Sequence, residues 1–230
     1  MKVYQHIIFD LDHTLWDFTA NSNATLKELY LEYAMLEWNI SETAFLEAYQ
    51  KVNNQMWLDY NHGRIGKEVI RRKRFQYTLA LLGIEDKALG DQLNEAYLEI
   101  CPTKGYLIPF ALEILIYLSQ KYTLHILTNG FSETQAIKIK TSGLECFFQE
   151  IINAESCGFL KPDKRAFDYT LSKIKGYCAD SIMIGDDLYA DALGAKKAGL
   201  DHVYFNPQKR KHRESLLYEI ACLSELKEFL

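Results

Sequence analysis

The stretch QHIIFDLDHTLWD, running from Gln5 to Asp17, decides how the rest of the chain is read. Ile7, Ile8 and Phe9 form a short β-prone apolar run, the pattern of a buried strand. Asp10 and Asp12 follow at once, with Leu11 between them and His13 and Thr14 after. Two carboxylates held ~4 Å apart repel by about 4 kcal/mol at an effective dielectric near 20. A chain tolerates that arrangement when a cation lies between them or when one of them keeps its proton. Both conditions suit a nucleophile and an acid/base group working beside a bound metal. A solitary Asp-x-Asp is also common in solvated turns, so the remaining chain must supply matching parts.

Beyond Asp17 the periodicity becomes helical. Leu26, Leu29, Tyr30, Tyr33 and Leu36 recur at three and four residues, one face of an amphipathic helix. Ser41 is placed to cap a second helix with the stripe Phe45, Tyr49, Val52 and Met56. Gly63 and Gly66 flank a turn. A third helix carries Val69, Ile70, Phe75, Leu79 and Leu82 and closes at Gly83, and a fourth covers about 87–100. No strand pattern interrupts residues 20–100. The expectation is an all-helical insertion over 18–103, with 1–17 and 104–230 forming a second unit.

From Pro109 strands and helices alternate. A helix at 109–120 leads to a strand at 122–127 that ends in Thr128-Asn129-Gly130. Ser132 and Gln135 have capping-box spacing for the next helix, which ends at Gly143. A short strand at 150–152 precedes Lys161-Pro162-Asp163, with Asp163 placed to cap a helix. A strand at 181–184 runs into Gly185-Asp186-Asp187. A helix rich in small residues follows and ends at Gly199, and 202–205 reads as the last strand. This alternation predicts an α/β fold, a Rossmann-like parallel sheet covered on both faces.

In such sheets the ligand site lies beyond the carboxyl ends of the strands. Asp10 and Asp12, Thr128 and Asn129, Lys161, and Asp186, Asp187 and Asp191 all fall at that edge. Asp10, Asp12 and Asp186 are hard oxygen donors of the kind Mg²⁺ takes. Neither the six histidines nor the five cysteines have zinc spacing. The Thr128 hydroxyl and the N–H groups of the Asn129 loop make a cradle for phosphate oxygens, and Lys161 adds a positive charge to screen an anionic attack.

Composition narrows the classes. The chain has 230 residues, 48% hydrophobic and 25% charged, with a net charge of -5. That balance favours solubility and disfavours binding to nucleic acid polymers. No apolar run reaches membrane-spanning length, and the N-terminus lacks a signal-peptide pattern. The odd, scattered cysteines suit a reducing compartment, so a cytoplasmic location is expected, with no membrane partner.

DLDHT, LTN, the Lys161-Pro162 pair and GDDLYAD resemble the four motifs of the haloacid dehalogenase-like hydrolase superfamily, in that family's order. The helical insertion is similar to its type-one cap. The resemblance implies a Mg²⁺-dependent phosphomonoester hydrolase, a monomer or weak homodimer, acting on a small phosphate ester. Asp10 would be the nucleophile that forms an aspartyl-phosphate, and Asp12 the general acid and then the general base. Asp10, the backbone carbonyl of Asp12 and Asp186 would hold the metal, with Thr128, Asn129 and Lys161 on the phosphoryl group. Asp187 and Asp191 would support the metal or the lysine. Asp12 argues against dehalogenation, which has no leaving alcohol to protonate.

Tyr49 to Asn53, Trp57 to Tyr60 and Thr128 to Ser132 with Gln135 are further similar to bacterial 5'-nucleotidases acting on pyrimidine and modified nucleoside monophosphates. Asn53, Trp57 and Tyr60 are spaced for one helical face and are the candidate substrate residues, with cap packing as the alternative for both rings. A phosphatase or mutase for sugar phosphates and an inactive phosphate-binding regulator are the competing functions. The basic run Arg71 to Arg74 reads mostly as a solvated helix face, and Lys209 to Arg213 as a solvated loop.

Overall fold

The computed structural model describes residues 3–230. The chain divides into two units, one formed by residues up to Phe18 together with Gly105–Leu230, the other by Thr19–Lys104. The second unit is helical: α1 (Phe18–Glu32, which begins one residue before the division), α2 (Glu42–Asn61), α3 (Lys67–Leu81) and α4 (Lys87–Ile100). Ser41 caps α2, its hydroxyl accepting from the Ala44 N–H at 3.2 Å, and Asp86 caps α4 through Leu89 N–H at 2.9 Å. The first stripe is shorter than its periodicity predicts. Ala34 turns left-handed at φ 46°, a short 3-10 turn follows, and Leu36 is left 71% exposed. Phe45, Tyr49, Phe75 and Tyr97 from α2, α3 and α4 meet with ring centroids 5.1–6.2 Å apart, within the range of favourable aromatic pairs.

The first unit holds a six-stranded parallel sheet, in the order β3-β2-β1-β4-β5-β6. The strands are β1 (His6–Phe9), β2 (Thr123–Thr128), β3 (Phe148–Asn153), β4 (Ser181–Gly185), β5 (Asp201–Phe205) and β6 (Tyr218–Ile220). α5 (Ala111–Leu118), α6 (Ser132–Thr141), α7 (Ala154–Cys157), α8 (Lys164–Ile174) and α9 (Gly194–Ala198) complete the unit, α9 continuing from a π-helical turn at Leu188–Leu193. The strand at 202–205 is therefore not the last. β6 pairs Val203 with Tyr218 and Phe205 with Ile220. Three residues are too few to show an alternating pattern, so the sequence hides this strand. α5 is shorter than 109–120 because Phe110 precedes it with a φ of 69°.

β1 lies at the centre, with His6 level with both Thr123 of β2 and Ser181 of β4, and Phe9 with Ile126 and Ile184. This flush register brings the carboxyl ends of three strands to one line. Ile7, Ile8 and Phe9 are fully buried, each contributing roughly 1.5–3 kcal/mol of apolar burial. Ile8, Leu127, Ile152 and Met183 pack against Ala166 and Phe167 of α8 and Ala195 and Ala198 of α9. Among the described residues no helix is long and apolar enough to cross a membrane.

Candidate active site

β1 delivers Asp10 to the carboxyl edge, where its N–H donates to the Ile184 carbonyl at 2.9 Å and ties it to β4. The chain then turns tightly. Leu15 and Trp16 N–H both return to the Leu11 carbonyl at 2.9 Å, with His13 left-handed at φ 65°. Asp10 and Asp12 face different partners from the two sides of this turn.

Asp10 faces Lys161. The Lys161 ammonium, 2% exposed, reaches Asp10 Oδ1 at 2.6 Å, the Leu127 carbonyl at 2.7 Å and Asp191 Oδ1 at 2.6 Å. Two hydrogen bonds and the ion pair to Asp191 hold the side chain in place. Burial opposes the ammonium, but Asp10 and Asp191 outweigh it and raise its pKa. Burial raises Asp10 above the usual carboxylate range despite Lys161, and pushes Asp191 up to about 7. Asp191 Oδ2 also accepts the Asp187 N–H at 3.1 Å. Gly185 is required beside it, because a Cβ there would lie 2.2 Å from Asp191 Oδ2.

Asp12 faces α6. Its Oδ1 accepts from the buried Lys138 ammonium at 2.6 Å and its Oδ2 from Gln135 Nε2 at 2.7 Å. Burial works against the charged carboxylate, but Lys138 and Gln135 prevail and hold its pKa low. The Lys138 ammonium also lies 4.4 Å from the centre of the Trp16 ring, a cation–π contact.

The capping box expected at Ser132 and Gln135 does not form. The residue preceding α6 is Phe131, with no side-chain cap, and Gln135 turns instead to the strand ends. There its amide donates both to Asp12 and, at 2.8 Å, to Thr128 Oγ1. A Cβ on Gly130 would lie 2.1 Å from that amide nitrogen, so the glycine makes room for it. Thr128 Oγ1 accepts a second bond from Gly130 N–H at 3.0 Å, which leaves the threonine's own O–H as a donor. The Asn129 side chain is spent on the Lys161 backbone, accepting from its N–H at 2.8 Å and donating to its carbonyl at 3.0 Å. It positions the lysine.

Just after β4, Asp186 N–H donates to Thr14 Oγ1 at 3.1 Å and Thr14 donates back to Asp186 Oδ1 at 3.2 Å. Burial, then Asp10, Asp191 and Asp187, push Asp186 well above the usual range. Carboxylate oxygens of Asp10, Asp186 and Asp191 all lie within 4.8 Å of one another. This crowded set of hard donors fits a divalent cation that prefers oxygen. Asp187 does other work: its Oδ1 accepts from Tyr189 and Ala190 N–H at 2.8 and 2.9 Å and caps the helix that follows β4.

The structure thus brings together Asp10, Asp12, Thr128, Lys161 and Asp186 in one unit. Three further residues join them: Thr14 and Gln135, which the sequence offers within the motif and nucleotidase resemblances but without a site role, and Lys138, which sequence reading left out. Gln135 was hidden by its own capping spacing. Lys138 sits at helical spacing from Gln135, three residues on, and that is the one signal that points to it.

Asn53, Trp57 and Tyr60 belong to the helical unit. Asn53 is buried, its Oδ1 accepting from Arg74 Nη1 at 3.0 Å. Trp57 and Tyr60 are partly exposed and meet edge to face at 5.6 Å. Asn53 is thus committed to Arg74, while the two rings pack on each other.

A family model described as haloacid dehalogenase-like hydrolase matches residues 4–199. The HAD-hydrolase YfnB of Bacillus subtilis is 34% identical, over 100% of this chain and 97% of its own. Its crystal structure, bound to magnesium, aligns with a TM-score of 0.86 over 99% of this chain and 98% of that one, at 31% identity. The pyrimidine 5'-nucleotidase YjjG of Escherichia coli is 31% identical over 97% of this chain and 96% of its own. PynA of Streptococcus pneumoniae, also named a pyrimidine 5'-nucleotidase, is 28% identical over 99% and 95%.

Proposed function

The chain belongs to the haloacid dehalogenase-like hydrolase family, and on that premise we propose that it is a phosphomonoester hydrolase that forms an aspartyl-phosphate on Asp10 and acts on pyrimidine nucleoside 5'-monophosphates. The observation behind the chemistry is the division of labour between two aspartates of one turn. Asp10 is set against Lys161 at 2.6 Å, and Asp12 is held separately by Lys138 and Gln135.

In the first half-reaction an Asp10 carboxylate oxygen attacks phosphorus and the ester P–O bond breaks, while Asp12, ionised in the free protein, takes the proton of the bound phosphate monoanion and passes it to the departing alkoxide. In the second, Asp12 takes a proton from water as that water attacks the phosphorus of the aspartyl-phosphate, releasing phosphate and restoring Asp10. Lys161 and the Thr128 O–H hold the phosphoryl oxygens. Asn129 and Asp191 keep the lysine in place, and Thr14 orients Asp186. Mg²⁺, held by the Asp10 and Asp186 carboxylates and the Asp12 carbonyl, would offset the charge shared by nucleophile and phosphoryl group.

Support for the substrate class comes from the two full-length relatives named for pyrimidine nucleotides. Phosphate release from UMP, dUMP, dTMP, AMP and hexose phosphates, with Mg²⁺ and after EDTA, tests the whole reading. Pyrimidine nucleotides should give the highest kcat/KM, and EDTA should silence turnover until Mg²⁺ is restored. A panel led by hexose phosphates removes the nucleotide assignment. Full activity in EDTA removes the metal.

A further inference from the structure

Gln135 of α6 is 1% exposed and lies between two groups with separate tasks, the Asp12 carboxylate and the Thr128 hydroxyl. Its Nε2 donates to both, at 2.7 and 2.8 Å. An amide nitrogen carries two hydrogens, so each is assigned. Asp12 decides which end of the amide faces it. Its other oxygen takes the Lys138 ammonium at 2.6 Å, and a carboxylate so paired accepts. The amide oxygen in the place of Nε2 would set two acceptors 2.7 Å apart. Gln135 Oε1 is left fully buried with no hydrogen-bond partner. A glutamine kept for packing alone would satisfy both ends of its amide. This one leaves its acceptor bare and donates twice.

The direction set at Asp12 is passed on to Thr128. Its Oγ1 has two lone pairs, one taken by Gln135 and the other by the Gly130 N–H at 3.0 Å. The hydroxyl hydrogen is then left for donation away from both. We propose that Gln135 is a positioning residue that locks the Thr128 hydroxyl as a donor to the phosphoryl oxygen and, through the same amide, holds Asp12 in register with it. The proposal rests on the phosphomonoester reading above, in which Thr128 holds the phosphoryl group and Asp12 moves the proton. A hydroxyl free to rotate would turn a lone pair toward the anion for part of the time, and two acceptors repel. Glutamate at this position keeps the shape and reverses the polarity. Its carboxylate would accept the Thr128 O–H, turning it from the substrate, and would face Asp12 with a like charge. Leucine keeps the bulk and neither donates nor accepts. The order in which the two are tolerated separates a role in polarity from a role in packing.

The test uses the full chain with Mg²⁺. It measures inhibition by orthophosphate, and kcat for UMP and p-nitrophenyl phosphate, in the parent, Gln135→Leu, Gln135→Glu, Thr128→Val and the Thr128→Val/Gln135→Leu double variant. Circular dichroism and thermal midpoints confirm folding. Orthophosphate inhibition should weaken about 3–10-fold in Gln135→Leu, part of the value of a hydrogen bond to a charged group, and further in Gln135→Glu. With Thr128→Val in place, Gln135→Leu should weaken it no more, because the hydroxyl it orients is gone. Through Asp12, kcat should fall more for UMP than for p-nitrophenyl phosphate, whose leaving group needs little protonation. Glutamate tolerated better than leucine, or losses that add in the double variant, overturn the inference, and equal kcat losses on the two esters overturn its Asp12 half. If the leucine variant does not fold, Gln135→Glu decides alone, and parent-like orthophosphate inhibition in it overturns the inference. Any of these results with a parent that hydrolyses phosphate esters leaves the phosphomonoester reading standing. A parent that hydrolyses none removes that reading as well.

Discussion

The two units treat buried charge in opposite ways. In the sheet unit each buried ammonium has an anion at hydrogen-bond distance: Lys161 has Asp10 and Asp191, and Lys138 has Asp12. In the helical unit Arg74 is as deeply buried but has two aromatic faces and one neutral amide. Charges paired within the protein are set in place before any ligand arrives, which suits groups that must meet a reacting atom. Buried cations are thus held by ion pairs in one unit and by aromatic faces and a neutral amide in the other.

The largest expected effect probes the paired side. Asp10→Asn should lower kcat by roughly 10³-fold or more, as removal of a nucleophile does. Lys161 keeps Asp191 in that variant, so the fold should survive, which circular dichroism checks. Turnover near the parent level in pure protein would take the nucleophile's role from Asp10.

Stability separates the two cations directly. Lys161→Met leaves two buried aspartates facing no cation and should cost about 3–5 kcal/mol in metal-free urea denaturation at neutral pH. Arg74→Met removes a buried charge that had no counter-charge, and should leave stability within about 1 kcal/mol of the parent. Equal losses in the two variants would erase the contrast.

A third probe uses a buried group kept neutral. His125 of β2, beside His6 at 3.1 Å, is driven down to about 4 by burial and then by His6. Its folded pKa lies below the unfolded value near 6.5, so the unfolded chain binds the extra proton between those values. The stability it contributes is complete above about pH 6.5 and is lost as pH falls through about 4. Relative to His125→Asn, the parent should lose no more than about 3 kcal/mol extra between pH 7 and pH 4. Parallel denaturation curves for the two proteins across that range would show His125 titrating normally.

The smallest effect sharpens the role of Asp12. Lys138→Met frees one oxygen of its carboxylate and should slow hydrolysis of alkyl phosphates by about tenfold, toward the low end of what general acid–base catalysis contributes. p-Nitrophenyl phosphate, whose leaving group needs little protonation, should lose less. Equal losses would mean that Lys138 supports the turn and not the proton transfer.

Apolar periodicity alone located the strands through β5 and the four helices of the insertion, because burial of one face imposes its spacing on the chain. The sequence by itself therefore determined that Asp10, Asp12, Thr128 and Asp186 lie at strand ends of one parallel sheet, with Lys161 ahead of the helix after the third strand, since topology orders those ends. Which partner each polar side chain takes is a different matter. Gln135 has the spacing of a cap yet bonds to Asp12 and Thr128, Asn129 holds a backbone, and Asp187 caps a helix. Arg74 belongs to a run of four basic residues and alone among its described neighbours Arg72 and Lys73 is swallowed by aromatic rings. Hydrogen bonds and charge pairs are short and directional, and they join residues as many as 172 positions apart in the site, Thr14 and Asp186. Only the tertiary structure could decide them.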